Sequence, residues 1–362
     1  MNIKRIGILT FHDTLNYGAL LQTYALNRYL NDTIGNCQTI DYKCDEIERN
    51  ESPLAFFKGF DVKRIVKGLL SLNYTLKKKK KFNDFTKGHI KMTEKRYNKN
   101  TIGRVASLFD IFIVGSDQVW NSKLTNGDYS YFLDFVDSTK TKVAYAASFG
   151  EKWYENERLL QEKNLLKQFD RISVRENTGR ILCEQLIDRK CNTVLDPVFL
   201  LNVQQWEKVE EMYRFNKKYV LVYFIHYDFS NTMKLAIQIA KEHDLDLIYI
   251  NNTYKNYPGV RNVKSASPGQ FLYLIKNAEY VVTGSFHGLS FSILYNKKFI
   301  YECERTKTET RLSNLASMLN VSNRCIGNCK IDDEIDYEKV NSVLETFKIE
   351  SRAFLKMLGD KK

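Results

Sequence analysis

No apolar run in this chain of 362 residues is long enough to cross a bilayer as a helix. The opening Met1-Asn-Ile-Lys-Arg-Ile-Gly-Ile-Leu-Thr runs straight into a strand-like segment, without the apolar core of a signal peptide. The two absences argue against an integral helical membrane protein and make the cytoplasm the expected compartment. Cysteine is sparse, with seven residues, an odd number at irregular spacing, and Cys183 and Cys303 sit within apolar segments, so reduced thiols are expected rather than a disulfide framework. The closest pair, Cys325-Ile-Gly-Asn-Cys329, has no second pair or nearby histidine to complete a zinc site, and no metal is expected. Acidic residues are fewer than basic ones, 43 against 55, which leaves a formal charge of +12 and favours anionic partners. Nucleic acid is not expected among them, because no recognisable nucleic-acid module is present and the basic run lacks regular aromatic interleaving.

With 43% hydrophobic residues, the chain can bury a sizeable core, and its length suggests about two domains. Apolar runs of strand length alternate with segments of helical period, the pattern of an α/β fold with parallel sheets. Strands are predicted near 4–10, 37–42, 109–115 and 142–147 in a first half, with helices at about 19–31 and 151–165. A second half is predicted to hold strands near 171–175, 193–196, 218–225, 246–250, 280–283 and 298–302. Ser267-Pro268-Gly269-Gln270 combines an N-cap, a first-turn proline and a capping-box glutamine, ahead of Phe271, Leu274, Ile275 and Ala278 at helical spacing. The division therefore reads as 1–165, an N-terminal Rossmann-like domain, 166–335, a second such domain, and 336–362, a closing helix. A basic insertion at about 51–100, including Lys77-Lys-Lys-Lys-Lys81, reads as a solvated helical surface, with contact to an anionic membrane surface as the second reading.

Five segments carry candidate chemistry. In an open α/β sheet, ligands bind beyond the carboxyl ends of the strands, which directs attention to the polar loops that follow the apolar runs. Tyr280-Val-Val-Thr-Gly-Ser285-Phe-His287-Gly288 reads as strand, small-residue turn and helix start, where unpaired N–H groups and the macrodipole favour phosphate or carboxylate. Thr10-Phe-His12-Asp-Thr-Leu-Asn16-Tyr17-Gly18 is a second strand end, at which Asn16 either caps a helix or contacts ligand. In Phe109-Asp-Ile-Phe-Ile-Val-Gly115-Ser116-Asp117-Gln118-Val-Trp120, polar groups suited to sugar hydroxyls follow an apolar run, with an aromatic able to pack on a sugar face. Arg171-Ile-Ser-Val-Arg175-Glu176 ends in a guanidinium that forks onto carboxylates or phosphates, although a surface ion pair with Glu176 reads as well. Val194-Leu-Asp196-Pro197 reads as a turn.

Taken in order, Asn-Tyr-Gly-Ala-Leu-Leu-Gln, Val-Gly-Ser-Asp-Gln-Val-Trp-Asn, Tyr-Ala-Ala-Ser-Phe-Gly, Ile-Ser-Val-Arg-Glu, Leu-Asp-Pro and Gly-Ser-Phe-His-Gly resemble the polysaccharide pyruvyl transferase family, over about residues 4–320. The resemblance implies a GT-B-like fold of two Rossmann-like, doubly wound domains facing an interdomain cleft. It also implies an enzyme that moves the pyruvyl group of phosphoenolpyruvate onto a sugar of a surface polysaccharide or its lipid-linked precursor, as a ketal, with release of phosphate. No cofactor is implied beyond phosphoenolpyruvate as co-substrate. The family's donor-binding arginine and histidine map onto Arg175 and His287, with Ser285 and Gly288 beside them. An arginine that some members carry shortly before the histidine is absent here, and Arg305 or Arg311 is expected to replace it. Asn16, Tyr17, Asp117, Gln118 and Trp120 are expected at the glycan acceptor, with Asp117 or His12 as base and His287 as general acid or phosphate clamp. Two further readings stand beside this one: a GT-B glycosyltransferase using a nucleotide sugar, and a catalytically silent glycan-binding assembly protein.

Overall fold

The computed structural model describes residues 4–52, 62–150, 157–225, 230–251, 256–302 and 311–358. Apolar β-branched runs form two all-parallel sheets, each with the strand order of a doubly wound fold. Strands β1 (Ile6–Leu9), β2 (Cys37–Lys43), β3 (Met92–Asn98), β4 (Ile111–Val114), β5 (Thr141–Ala147), β6 (Arg171–Val174) and β7 (Asn192–Thr193) make the first, ordered β3-β2-β1-β4-β5-β6-β7. Helices α1 (Tyr17–Thr33), α2 (Asp45–Glu51), α3 (Val62–His89), α4 (Ser122–Thr125), α5 (Glu157–Leu166) and α6 (Asn177–Ile187) accompany them in sequence. The second sheet is ordered β10-β9-β8-β11-β12, from β8 (Tyr219–Tyr223), β9 (Asp246–Ile250), β10 (Arg261–Val263), β11 (Tyr280–Thr283) and β12 (Lys298–Tyr301). Its helices are α7 (Val203–Glu207), α8 (Ser230–Glu242), α9 (Pro268–Lys276), α10 (Phe286–Leu294) and α11 (Arg311–Met318), and α12 (Tyr337–Lys356) closes the chain.

The chain divides into two compact units, the first of Met1–Glu51, Thr86–Leu201 and Glu345–Lys362, the second of Ser52–Phe85 and Asn202–Leu344. The expected boundary at 165 therefore moves to Leu201. Arg171–Val174 pairs in parallel with β5 and Asn192–Thr193 pairs with β6, so both segments extend the first sheet and do not open the second. Met92–Asn98 likewise leaves the insertion and pairs with β2, a strand hidden in the sequence by the exposed polar run Glu94, Lys95 and Arg96, which breaks the apolar alternation. The end of α12 belongs to the first unit, where Ser351 Oγ accepts from Leu195 N at 2.9 Å and an Arg352 Nη2 donates to Leu200 O at 3.1 Å. The capping box at Ser267 and Gln270 forms as expected, with Pro268 in the first turn of α9.

In each sheet the strand order reverses direction beside the first strand, between β1 and β4 in one unit and between β8 and β11 in the other. Such switch points leave a crevice beyond the carboxyl ends of the strands. The loops after β1 and β4, and the turn after β11, are the sequence segments singled out for chemistry.

Candidate active site

In the first unit, the loops after β1 and β4 are stapled together by Gln22 of α1. Its Nε2 donates to Thr10 Oγ1 at 3.0 Å, its Oε1 accepts from Ser116 N at 3.2 Å, and Thr10 Oγ1 donates to Ser116 O at 3.0 Å. Gln22 is fully buried, so the staple also satisfies an amide that would be costly to leave unpaired. Asn16 is the N-cap of α1, accepting from Gly18 N at 2.9 Å and Ala19 N at 3.4 Å, which bears out the capping reading. Gly115 holds φ at +106°, and a Cβ there would stand 2.3 Å from Tyr145 O, so only glycine lets β4 turn so close to β5.

The turn delivers Asp117, whose Oδ1 accepts from Gln118 N at 2.8 Å, into a buried ion cluster. Arg175 is its centre. Nε donates to Glu176 Oε1 at 3.0 Å, Nη1 to Asp196 Oδ2 at 2.9 Å, and Nη2 lies 3.8 Å from Asp117 Oδ1. Ser148 Oγ adds a bond to Glu176 at 2.9 Å and Ser116 Oγ one to Asp196 at 3.3 Å. Burial disfavours the guanidinium charge, but Glu176, Asp196 and Asp117 outweigh it, and the Arg175 pKa rises. The arginine expected among the donor-binding groups of the second domain is thus in the first unit, gathering carboxylates from the ends of β4, β6 and β7. Asp196 performs the expected turn role as well, its Oδ1 accepting from Val198 N at 3.1 Å ahead of Pro197–Phe199.

Two acceptor expectations, Trp120 and Tyr17, meet burial. Trp120 is 1% exposed, stacked on Phe132 at 5.5 Å and edge-on to Phe169 at 5.9 Å, with Nε1 donating to Tyr131 O, so it is a core anchor and not a sugar platform. Tyr17 is buried to the same degree in the first turn of α1. Gln118, half-buried, accepts from Asn121 Nδ2 at 2.9 Å. His12 is buried with both ring nitrogens beside oxygen atoms of its own unit, Nδ1 at 3.3 Å from Thr10 O and Nε2 at 3.1 Å from Asp41 Oδ1, so the side chain expected as a base is engaged within the fold. Asp41 also takes Arg96 Nε at 2.9 Å. Burial raises its pKa, but His12 and Arg96 together hold it below the ordinary carboxylate value. This network borders a shallow recess at the ends of β1 and β2, lined by His12, Asp13, Lys43 and Glu48 among others.

In the second unit, β11 ends at Thr283, whose Oγ1 donates to Tyr223 O at 2.6 Å and accepts from Ser285 N at 3.1 Å. Ser285 caps α10, its Oγ accepting from Gly288 N at 3.4 Å, and His287 follows in the first turn, 4% exposed, with the Phe286 ring edge-on at 5.1 Å. The helix begins at Phe286, one residue before the histidine. Every residue of α10 is buried, an arrangement a 3.6-residue period cannot signal. Glu302, at the end of β12, is buried and accepts from the backbone N and side-chain hydroxyl of Thr232 in α8. Arg311 opens α11, half-buried, and Arg305 lies outside the described residues. Among the described residues, no group of three or more His, Cys, Asp or Glu side chains is placed to hold a metal ion.

Gly288 is required by proximity. A Cβ there would meet Thr283 Oγ1 at 2.2 Å and Tyr223 Cδ1 at 3.1 Å, and Thr283 Oγ1 is itself pinned by two hydrogen bonds. Gly288→Ala is expected to destabilise the protein by about 1–3 kcal/mol through overpacking. Adding Thr283→Ala removes the obstructing oxygen, so urea denaturation of the double variant should show less loss than the sum of the two singles.

Two parallel doubly wound sheets of this order define a GT-B-like protein of two Rossmann-like domains. The fold is shared with solved structures at low identity. S. aureus MnaA, solved with UDP, aligns with a TM-score of 0.54 at 13% identity, over 99% of each chain. The UDP-GlcNAc 2-epimerase of Methanocaldococcus jannaschii aligns at 0.51 and 13%, over 94% of this chain and 91% of that one. A putative UDP-N-acetylglucosamine 2-epimerase from Listeria monocytogenes aligns at 0.53 and 9%, over 96% and 91%. No curated protein sequence matches significantly. The polysaccharide pyruvyl transferase family model matches residues 16–301, and the chain belongs to that transferase family.

Proposed function

We propose that the protein transfers the pyruvyl group of phosphoenolpyruvate to a sugar of a surface polysaccharide or its lipid-linked precursor, forming a ketal. The observation that carries this reading is the family match across both units, residues 16–301. Donor chemistry is assigned to the turn after β11, where Ser285, His287 and the first turn of α10 combine a titratable imidazole with a helix N-terminus, groups suited to a phosphate ester. Acceptor chemistry is assigned to the loops after β1 and β4, where Asp117 is the carboxylate proposed to take a hydroxyl proton.

The reaction needs one hydroxyl oxygen to bond to the central carbon of the donor while its methylene carbon gains a proton. The carbon–oxygen bond to phosphate then breaks, and the second hydroxyl closes the ketal. Of the two hydroxyl protons released, one is balanced by the new methyl hydrogen and the other by the departing phosphate. His287 is assigned the proton delivered to the donor, and Asp117 the proton removed from the acceptor.

The test is phosphate release by the purified protein from phosphoenolpyruvate and a panel of lipid-linked and synthetic glycans, with ketal formation followed by mass spectrometry of the glycan. A gain of the pyruvyl mass with stoichiometric phosphate is expected. Consumption of a nucleotide sugar in the same panel, with no phosphate from phosphoenolpyruvate, overturns the assignment in favour of glycosyl transfer.

A further inference from the structure

Helix α3 has two apolar faces, and the fold uses one. At about 100° per residue, Gly68, Lys78, Phe82 and Phe85 gather on one side, and all four are buried. Between this side and the opposite one, α3 is tied to α9 and to the segment after β10. Lys81 Nζ donates to Gln270 Oε1 at 3.0 Å, and Lys264 Nζ lies 4.8 Å from the centre of the Tyr74 ring. On the opposite side Val62, Val66, Leu69, Leu70 and Leu76 are 70%, 49%, 53%, 61% and 50% exposed. They fall within a sector of about 120° and run along about 20 Å of helix. Isolated exposed leucines need no explanation, but five aligned large aliphatic side chains on one helix form a contiguous patch of the kind that marks an interaction surface.

The charges beside the stripe choose its partner. Lys63 borders it, Lys77 lies within the same sector, and Lys80 continues its line toward the C-terminal end, all three exposed. A second copy of the chain would bring the same lysines against one another on a molecule already at +12. An anionic bilayer complements both features at once, taking the aliphatic side chains at the boundary of headgroups and acyl chains and the ammonium groups at headgroup phosphates. No described helix is long and apolar enough to cross a membrane, so a surface-lying mode is the one available to α3. We propose that the exposed face of α3 docks the protein on an anionic lipid surface. This inference does not depend on the pyruvyl reading.

The full chain is to be sedimented with vesicles of phosphatidylcholine alone and of phosphatidylcholine mixed with phosphatidylglycerol. Partitioning to the mixed vesicles, weakened by salt, is expected. Lys77→Gln and Lys80→Gln should each lower it about fivefold, and Leu69→Ser with Leu70→Ser by about tenfold or more, with thermal melting unchanged because the side chains are exposed. Equal partitioning to both vesicle types, no partitioning, or partitioning that ignores these substitutions overturns the proposal. So does a dimer in sedimentation velocity that Leu70→Glu converts to monomer, since a second copy would then be what covers the stripe.

Discussion

Replacing Arg175 by alanine is expected to lower the stability of the protein by about 3–5 kcal/mol, read as a shift of the urea unfolding midpoint at constant slope. The magnitude follows from what remains. Asp117, Glu176 and Asp196 are each less than a tenth exposed and converge on one guanidinium, itself 4% exposed. Removing the cation leaves three carboxylates to be neutralised or rehydrated inside a packed sheet edge, where the hydroxyls of Ser148 and Ser116 and the backbone N–H groups of Val198 and Gln118 donate to them but supply no opposite charge. Arg175→Lys should recover only part of the loss, because a point ammonium cannot reproduce the separate Nε and Nη1 bonds. The competing role, a direct anchor for the donor, predicts a different pattern. Stability would be nearly unchanged, the KM for phosphoenolpyruvate would rise, and bound donor would protect the wild type alone. An unchanged unfolding midpoint for Arg175→Ala would remove the brace assignment.

The same cluster shows where sequence reading reaches its limit. Arg175 was legible as a strand-end guanidinium and Asp117 as a strand-end carboxylate, because an apolar run ending abruptly in polar residues is a local signal. Their meeting with Asp196 was not, since it depends on β6 and β7 adding to the first sheet, and a strand's choice of sheet leaves no mark in its own periodicity. Trp120 failed for a related reason. An indole after a polar loop reads alike whether it faces a ligand or a core, and the packing of Phe132, Phe149 and Phe169 around it decides the matter from distant segments. Gln22 stood within a quoted motif without a role, because its partners Thr10 and Ser116 are brought together only by the pairing of β1 with β4. By contrast, the α9 capping box and the Asn16 cap were readable in full, since every partner lies within three residues.

His287→Ala is expected to reduce phosphate release from phosphoenolpyruvate by about 10²–10⁴-fold, the range typical of a lost general acid, while the protein remains folded. The imidazole sits in the first turn of a helix whose cap is made by Ser285 and whose fit to the sheet is set by Gly288, so its removal takes away neither the cap nor the close approach of α10 to β11. His287→Gln separates the two roles open to this side chain. Glutamine keeps a hydrogen-bond donor for a phosphate oxygen but has no proton to give. If His287 delivers the proton to the donor's methylene carbon, both variants lose kcat to a similar extent. If the ring only clamps phosphate, His287→Gln retains most of kcat and the loss appears in KM. The first pattern is the one expected, because the helix N-terminus already offers backbone donors to an anion, whereas an imidazole is the kind of side chain that can deliver a proton. Full activity in both variants would remove the turn after β11 from the chemistry and return the donor site to the search.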